Sequence, residues 1–293
     1  MAGCRVCPRS CGVDRATDKR GFCSCGENIR IARAALHFWE EPCISGTNGS
    51  GAVFFSGCPL KCVFCQNEKI SRGGFGREVT PLELMRIFDS LIEQGAHNIN
   101  LVTPTHFAPQ LKKILKEYKS TVPIVYNTSG YESVETLKSL EGLIDIYLPD
   151  LKYYDSTVSE KYSAAPDYFE YASKAVLEMS RQVSNLQTDG NGIAQRGLII
   201  RHLILPGNVS QTLKLLNWIS DNLSLQTTVS LMRQYTPYGK AKNIRPIDRP
   251  LSVREYKIAL KAFTDLGFEC GYVQRERCAQ EKYIPEFNLK GVL

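Results

Sequence analysis

The sequence predicts an α/β protein of parallel strands joined by helical crossovers, on three observations. Short apolar runs alternate in strict order with amphipathic helical patterns, polar residues gather just past the apolar runs, and no segment repeats at a fixed period. At 293 residues the chain can bury a full core, as one large domain with an appendage. The alternation admits either a barrel or a doubly wound sheet. About six βα units are counted, fewer than the roughly eight of a closed TIM barrel.

Each element follows from local chemistry. Residues 51–57, Gly-Ala-Val-Phe-Phe-Ser-Gly, read as a buried strand ending at Cys58. Thr80-Pro81-Leu82-Glu83 is a capping box with proline in the first turn, after which Leu84, Met85, Phe88, Leu91 and Ile92 follow helical spacing and Gly95 closes the helix. Strands are expected at 98–102, 123–126, 143–148, 197–205 and 227–234. Helices are expected at 108–118, 133–140, 168–183, 209–222 and 253–266. The stretch 185–196 reads as a mobile loop. In either architecture ligands collect at the C-terminal strand ends. There the sequence offers Cys58, Thr103-Pro-Thr-His106, Asn127-Thr128-Ser-Gly130, Asp150-Leu-Lys152, Arg201-His202 with the Pro206-Gly207 turn, and Gln234-Tyr-Thr-Pro237.

Composition excludes several classes. A hydrophobic fraction of 43% with 23% charged residues is that of a globular protein, without the signature of disorder or fibre. The first residues lack the apolar run of a secretory signal, and no stretch of about 18 apolar residues occurs, so a cytoplasmic location without membrane contact is expected. Eleven cysteines, seven before residue 60, at short spacings, favour metal or cluster ligation over disulfides. Cys25, Cys43, Cys270 and Cys278 are read as thiols. The net charge of +6 permits a nucleic-acid partner without requiring one.

Cys58-Pro-Leu-Lys-Cys62-Val-Phe64-Cys65 places three thiolates within eight residues, enough to wrap one soft metal site. Three thiolates leave one iron of a [4Fe–4S] cluster open to a small chelating molecule, and S-adenosylmethionine (SAM), with its amino and carboxylate groups, suits that position. A zinc site completed by a remote His or Cys is the alternative. The preceding strand and Phe64 weigh against it. Upstream, Cys4, Cys7, Cys11 and Cys23 supply four thiolates, a complete set for structural zinc or a second iron–sulfur cluster. Nearby arginines would offset its charge.

The string from Ser56 to Asn67 resembles the radical SAM superfamily, and within it pyruvate formate-lyase-activating enzyme and its relatives. The likeness extends nearly end to end through Leu36–Pro42, Asn98–His106, Tyr126–Tyr131, Asp145–Asp150 and Arg201–Gly207. It implies a partial (β/α)6 barrel over residues 49–293 with a cysteine-rich extension over residues 1–48. It further implies a [4Fe–4S] cluster on Cys58, Cys62 and Cys65, with SAM contacted by Phe64, Asn67, Asn127, Thr128, Asp150, Lys152 and Arg201. Isolated surface ion pairs are the bland reading of Asp150, Lys152 and Arg201. The family's Gly-Gly-Glu motif is absent; Thr103-Pro-Thr-His106 stands there, so the threonine hydroxyls are expected to receive the SAM amino group. His106 is read as either a ligand contact or a packed histidine. The implied activity is reductive SAM cleavage to a 5′-deoxyadenosyl radical, fed by a donor such as flavodoxin or ferredoxin. Activation of a glycyl-radical protein leads, with modification of a small molecule or RNA as the second enzymatic reading. A non-enzymatic iron–sulfur carrier or metal-binding module is the third.

Overall fold

The computed structural model describes residues 3–17, 19–274 and 285–292. The chain enters through irregular turns and then forms β1 (Ile29–His37), α1 (Pro42–Ser45), β2 (Ser50–Phe55), α2 (Glu68–Ser71), β3 (Arg77–Val79) and α3 (Pro81–Glu93). The alternation continues with β4 (Ile99–Val102), α4 (Ala108–Glu117), β5 (Ile124–Thr128), α5 (Val134–Ser139), β6 (Ile146–Pro149), α6 (Ser156–Ser163) and α7 (Tyr168–Val183). It closes with β7 (Gln187–Thr188), β8 (Ala194–Leu203), α8 (Val209–Asn222), β9 (Thr228–Met232), α9 (Val253–Asp265) and β10 (Gly271–Val273).

One sheet carries these strands in the order β10-β9-β8-β6-β5-β4-β2-β1-β3. Every pair from β2 to β10 along this path is parallel, while β1 runs antiparallel to both β2 and β3. The two end strands do not pair with each other, so the sheet is a barrel left open. This is the partial barrel expected, with parallel strands buried on both faces and therefore rich in apolar residues. The capping box holds: Thr80 accepts from the Glu83 N–H, and Glu83 accepts from the Thr80 N–H at 2.7 Å. Gly95, at φ 91°, supplies the left-handed turn that ends α3.

The sheet alternation positions the site. Val125, Ile146, Leu148 and Ile199 point to the inside of the barrel and pack with Cys43 and Ile44 of α1, which plug its floor. Two residues further along β5, β6 and β8 the same inner face carries Asn127, Asp150 and Arg201. The outer face packs on the helices through residues such as Tyr126, Tyr147, Leu198 and Ile200.

Two expectations change. Residues 185–196 are not a loop throughout: Gln187 pairs with Arg196, and Thr188 with Ala194, making a short hairpin that leads into β8. The nine-residue β1 was not foreseen. Its alternation is broken by a register shift between Ile31 and Arg33, so no clean period of two is visible in its sequence. Cys270 is exposed, Cys43 is buried in the floor plug, and Cys278 lies outside the described residues.

Candidate active site

The chain leaves β2 through Ser56 and Gly57 and wraps a loop that carries Cys58, Cys62 and Cys65 across the mouth of the barrel. Gly57 has φ 87°, and a Cβ there would meet Cys25 Sγ at 2.4 Å, so the loop turns where only glycine fits. Phe64 packs edge-on against Tyr235 with ring centroids 5.8 Å apart. Cys62 and Cys65 line a cavity of about 220 Å³ with Phe64, Asn67, Asp150 and Lys152. Burial pushes the Cys58 and Cys65 thiols up, and the neighbouring Cys62 adds to the shift. Cys58 and Cys65 thus resist ionising unaided, and the donor set suits a positively charged iron–sulfur core that stabilises its ligands as thiolates.

This chamber shares Gln66, Asn67, Asp150, Met232 and Gln234 with a larger open cleft of about 520 Å³. Asn67 is the N-cap of α2 but makes no side-chain cap, which leaves its amide to face both cavities. At the centre, Arg201 is a three-way tie. Its guanidinium donates to Asp150 Oδ1 at 3.0 Å, to Glu40 Oε2 at 3.0 Å and to Asn127 Oδ1 at 2.5 Å. Lys152 Nζ donates to the second oxygen of Asp150. Asn127 and Asn100 each donate to Glu40 Oε1 at 3.2 Å.

These side chains are 10–19% exposed, so they are not isolated surface pairs. Burial alone would raise the Asp150 carboxyl, but Lys152 and Arg201 outweigh it and hold the group below the usual carboxylate range. Burial would likewise discharge Lys152, and Asp150 with Cys62 keeps its ammonium charged. The result is a rigid set of donors and acceptors at the strand ends in which Asp150, Lys152 and Arg201 stay charged.

Of the seven residues expected to contact SAM, Phe64, Asn67, Asn127, Asp150, Lys152 and Arg201 reach these cavities. Thr128 does not. As the neighbour of Asn127 on β5 it faces the opposite side of the sheet, where its hydroxyl donates to Glu132. Of the two threonines expected to receive the SAM amino group, Thr103 is half-buried just past β4, and Thr105 is withdrawn. Thr105 is fully buried and its hydroxyl is committed to Glu132 at 2.5 Å. His106 is a packed histidine: Nε2 donates to the Ser56 carbonyl at 2.7 Å and burial lowers the ring's pKa to about 3.

Glu40 was missed as a site residue. It lies just beyond β1, in a run quoted only for its family likeness, and its role arises because that strand delivers it across the barrel mouth to Arg201.

The N-terminal segment clamps the back of the cysteine loop. Arg9 Nε donates to the Pro59 carbonyl at 2.8 Å, and Cys25 Sγ to the Ser56 carbonyl at 3.1 Å. Cys7 lies within electrostatic reach of Cys4 and Cys23, and a Cβ on Gly21 would meet the sulfurs of Cys11 at 3.1 Å and Cys23 at 3.7 Å. All four cysteines of the expected second centre thus fall in one region of the N-terminal segment, with Cys7 and Cys23 buried and Cys11 exposed. Among the described residues no three His, Cys, Asp or Glu side chains converge on a single ion position.

The comparisons agree with this architecture. The family model of the radical SAM superfamily matches residues 52–188. The chain is 31% identical over 268 residues to an uncharacterized protein, MJ0674, of Methanocaldococcus jannaschii, covering 88% of this chain and 73% of that protein. The chain belongs to the radical SAM superfamily. That membership implies a [4Fe–4S] cluster and SAM as cofactors. Among solved structures, SuiB of Streptococcus suis bound to its precursor peptide SuiA aligns with a TM-score of 0.50 at 12% identity, over 75% of this chain, and thus shares its fold. The chain spans 47% of the SuiB chain. A domain of pyruvate-formate lyase-activating enzyme from Bacteroides vulgatus aligns at a TM-score of 0.38 and 14% identity, over 67% of this chain and 91% of that one. The FeFe-hydrogenase maturase HydG of Carboxydothermus hydrogenoformans aligns at 0.47 and 16%, over 80% and 59%. No helix among the described residues is long and apolar enough to cross a membrane.

Proposed function

We propose that Cys58, Cys62 and Cys65 hold a [4Fe–4S] cluster and that SAM lies between it and Arg201. The observation that supports this reading most is the union of the two cavities: the chamber beside the cysteines opens through Asn67 and Asp150 into the larger cleft. A cluster held there would supply one electron for reductive cleavage of the S–C5′ bond of SAM, and with it the means to abstract a hydrogen atom from substrate. The chain's own residues orient and exclude. Lys152 spends one of its three N–H donors on Asp150, leaving others for a carboxylate, and Asn67 and Asn127 offer amides to the polar ends of the ligand. Anaerobically reconstituted protein should cleave SAM to 5′-deoxyadenosine and methionine when reduced, and alanine at any one of the three cysteines should abolish it. Undiminished cleavage in all three variants would sink the assignment.

For the substrate, the favoured reading is a glycine of a partner protein, activated as a glycyl radical, with electrons from a donor of the flavodoxin or ferredoxin kind. It is supported by the likeness of the Ser56–Asn67 string to the activating enzymes. Trapping of labelled 5′-deoxyadenosine with candidate glycyl-radical proteins tests it; hydrogen transfer only from a small molecule or RNA would favour the second reading.

The N-terminal cysteines form a separate metal centre in this proposal. A zinc ion draws all of its thiolates to about 2.3 Å from one point, whereas a four-iron cluster anchors each on its own iron. Four thiolates serve either, and a second cluster is the centre proposed. Alanine at Cys4, Cys7, Cys11 and Cys23 together should remove about four irons per chain from folded protein while some SAM cleavage survives. Loss of about one zinc would revise the metal, and unchanged metal content would remove the site.

A further inference from the structure

The cysteine loop is pinned on one side by the last turn of α6. The Lys61 N–H donates to the Ser163 carbonyl at 3.1 Å and the Val63 N–H to the Tyr162 carbonyl at 2.8 Å. That anchoring brings the buried Ser163 hydroxyl to 3.0 Å from Cys62 Sγ. The other partner of Ser163 Oγ is the hydroxyl of Tyr153, 2.7 Å away and also fully buried. Ser163 is the one hydrogen-bond partner of the Tyr153 hydroxyl among the described residues. The tyrosine proton therefore points to the serine oxygen, and the serine proton is left for the sulfur. The reverse orientation would bury a phenol proton without an acceptor.

Of the other two sulfurs, Cys58 Sγ receives the Leu60 N–H at a longer 3.4 Å, and Cys65 Sγ has the Ser71 hydroxyl, also at 3.4 Å, together with the Asn67 N–H. Hydrogen bonds to ligand sulfur are among the levers that set the potential of an iron–sulfur centre, because a donor stabilises the reduced, more negative form the more. A directed two-step chain acts in the same sense, the first bond polarising the second.

The geometry points to Ser163, aligned by Tyr153, as a positioning residue that raises the reduction potential of a cluster held by Cys58, Cys62 and Cys65. This rests on the cluster assignment above. The step concerned is a one-electron reduction of the cluster by an external low-potential donor, with no bond made or broken. The role of Ser163 is to set how easily that electron enters.

The test is a redox titration of the reconstituted holoenzyme followed by electron paramagnetic resonance, with iron counted in each variant. Ser163→Ala should keep its iron and shift the midpoint to a more negative value. Tyr153→Phe should shift it the same way by less, since the serine keeps a proton but loses its alignment. Ser163→Thr, which retains a hydroxyl, should restore the midpoint towards wild type. Ser159→Ala, on the same helix but bonded only to the Ser156 carbonyl at 3.0 Å, should leave it unmoved. An unchanged midpoint in iron-replete Ser163→Ala overturns the inference. Should that variant lose its cluster, an unchanged midpoint in Tyr153→Phe overturns it instead. Iron content that survives alanine at Cys58, Cys62 and Cys65 would strike the cluster assignment itself, a separate failure.

Discussion

Asn127 and Thr128 are consecutive residues of β5, yet they serve two chemically opposite rooms. Asn127 faces the barrel interior, where Glu40 and Asp150 both meet Arg201, and Asp150 also meets Lys152. Thr128 faces the outer side, where the carboxyl of Glu132 is fully buried and, among the described residues, meets the hydroxyls of Thr105, Thr128 and Tyr126. The Asp150 carboxyl is held ionised in the first room, and that of Glu132 is driven towards neutrality in the second. Burial penalises both. What differs is whether cations answer it.

The largest test of that contrast is removal of the carboxylate that ties two cations together. Asp150→Ala leaves Lys152 without its carboxylate and Arg201 with Glu40 and Asn127 alone. Breaking a buried pair from one side costs about 3–5 kcal/mol, so the denaturant midpoint should fall clearly. SAM affinity should fall with it, while the cluster spectrum persists because the cysteines lie on a different loop. Lys152→Ala should weaken SAM binding with a smaller loss of stability, since Asp150 keeps Arg201. Equilibrium unfolding and SAM titration on the reconstituted protein check both, and equal stability of Asp150→Ala and wild type would break the account of the inner room.

How much of this was legible in sequence follows from which signals are local. The bounds of α7 and α8, the capping box at Thr80 and the six βα units all rest on periodicity or on turn chemistry within a few residues, and these carry the fold. Thr128 shows the limit of carrying residues over by likeness. The period of two in a strand already separates it from Asn127, and the family string alone conceals that. Glu40 had no such signal: its importance depends on an antiparallel strand whose pattern is interrupted at Ile31 and on a partner 161 positions away. The Cys58 loop announced its chemistry through spacing, whereas the serine that bonds Cys62 lies 101 positions on and carries no motif.

The smaller test concerns the outer room. Burial raises the Glu132 carboxyl from its ordinary 4.5 to about 7, against the pull of the three hydroxyls. Below pH 4.5 the group is protonated in both folded and unfolded chains and costs nothing. Between about 4.5 and 7 the unfolded chain gives up the proton while the folded one keeps it, so stability falls as pH rises through that window and then levels off. Glu132→Gln offers an amide oxygen to the same hydroxyls and cannot ionise. Its unfolding free energy should stay flatter than wild type over that window and exceed it on the alkaline side by about 2–3 kcal/mol. Denaturant midpoints taken at several pH values decide the matter. Parallel curves for the two proteins would mean that Glu132 ionises as freely inside as outside, and the difference between the two rooms would then lie in geometry rather than charge.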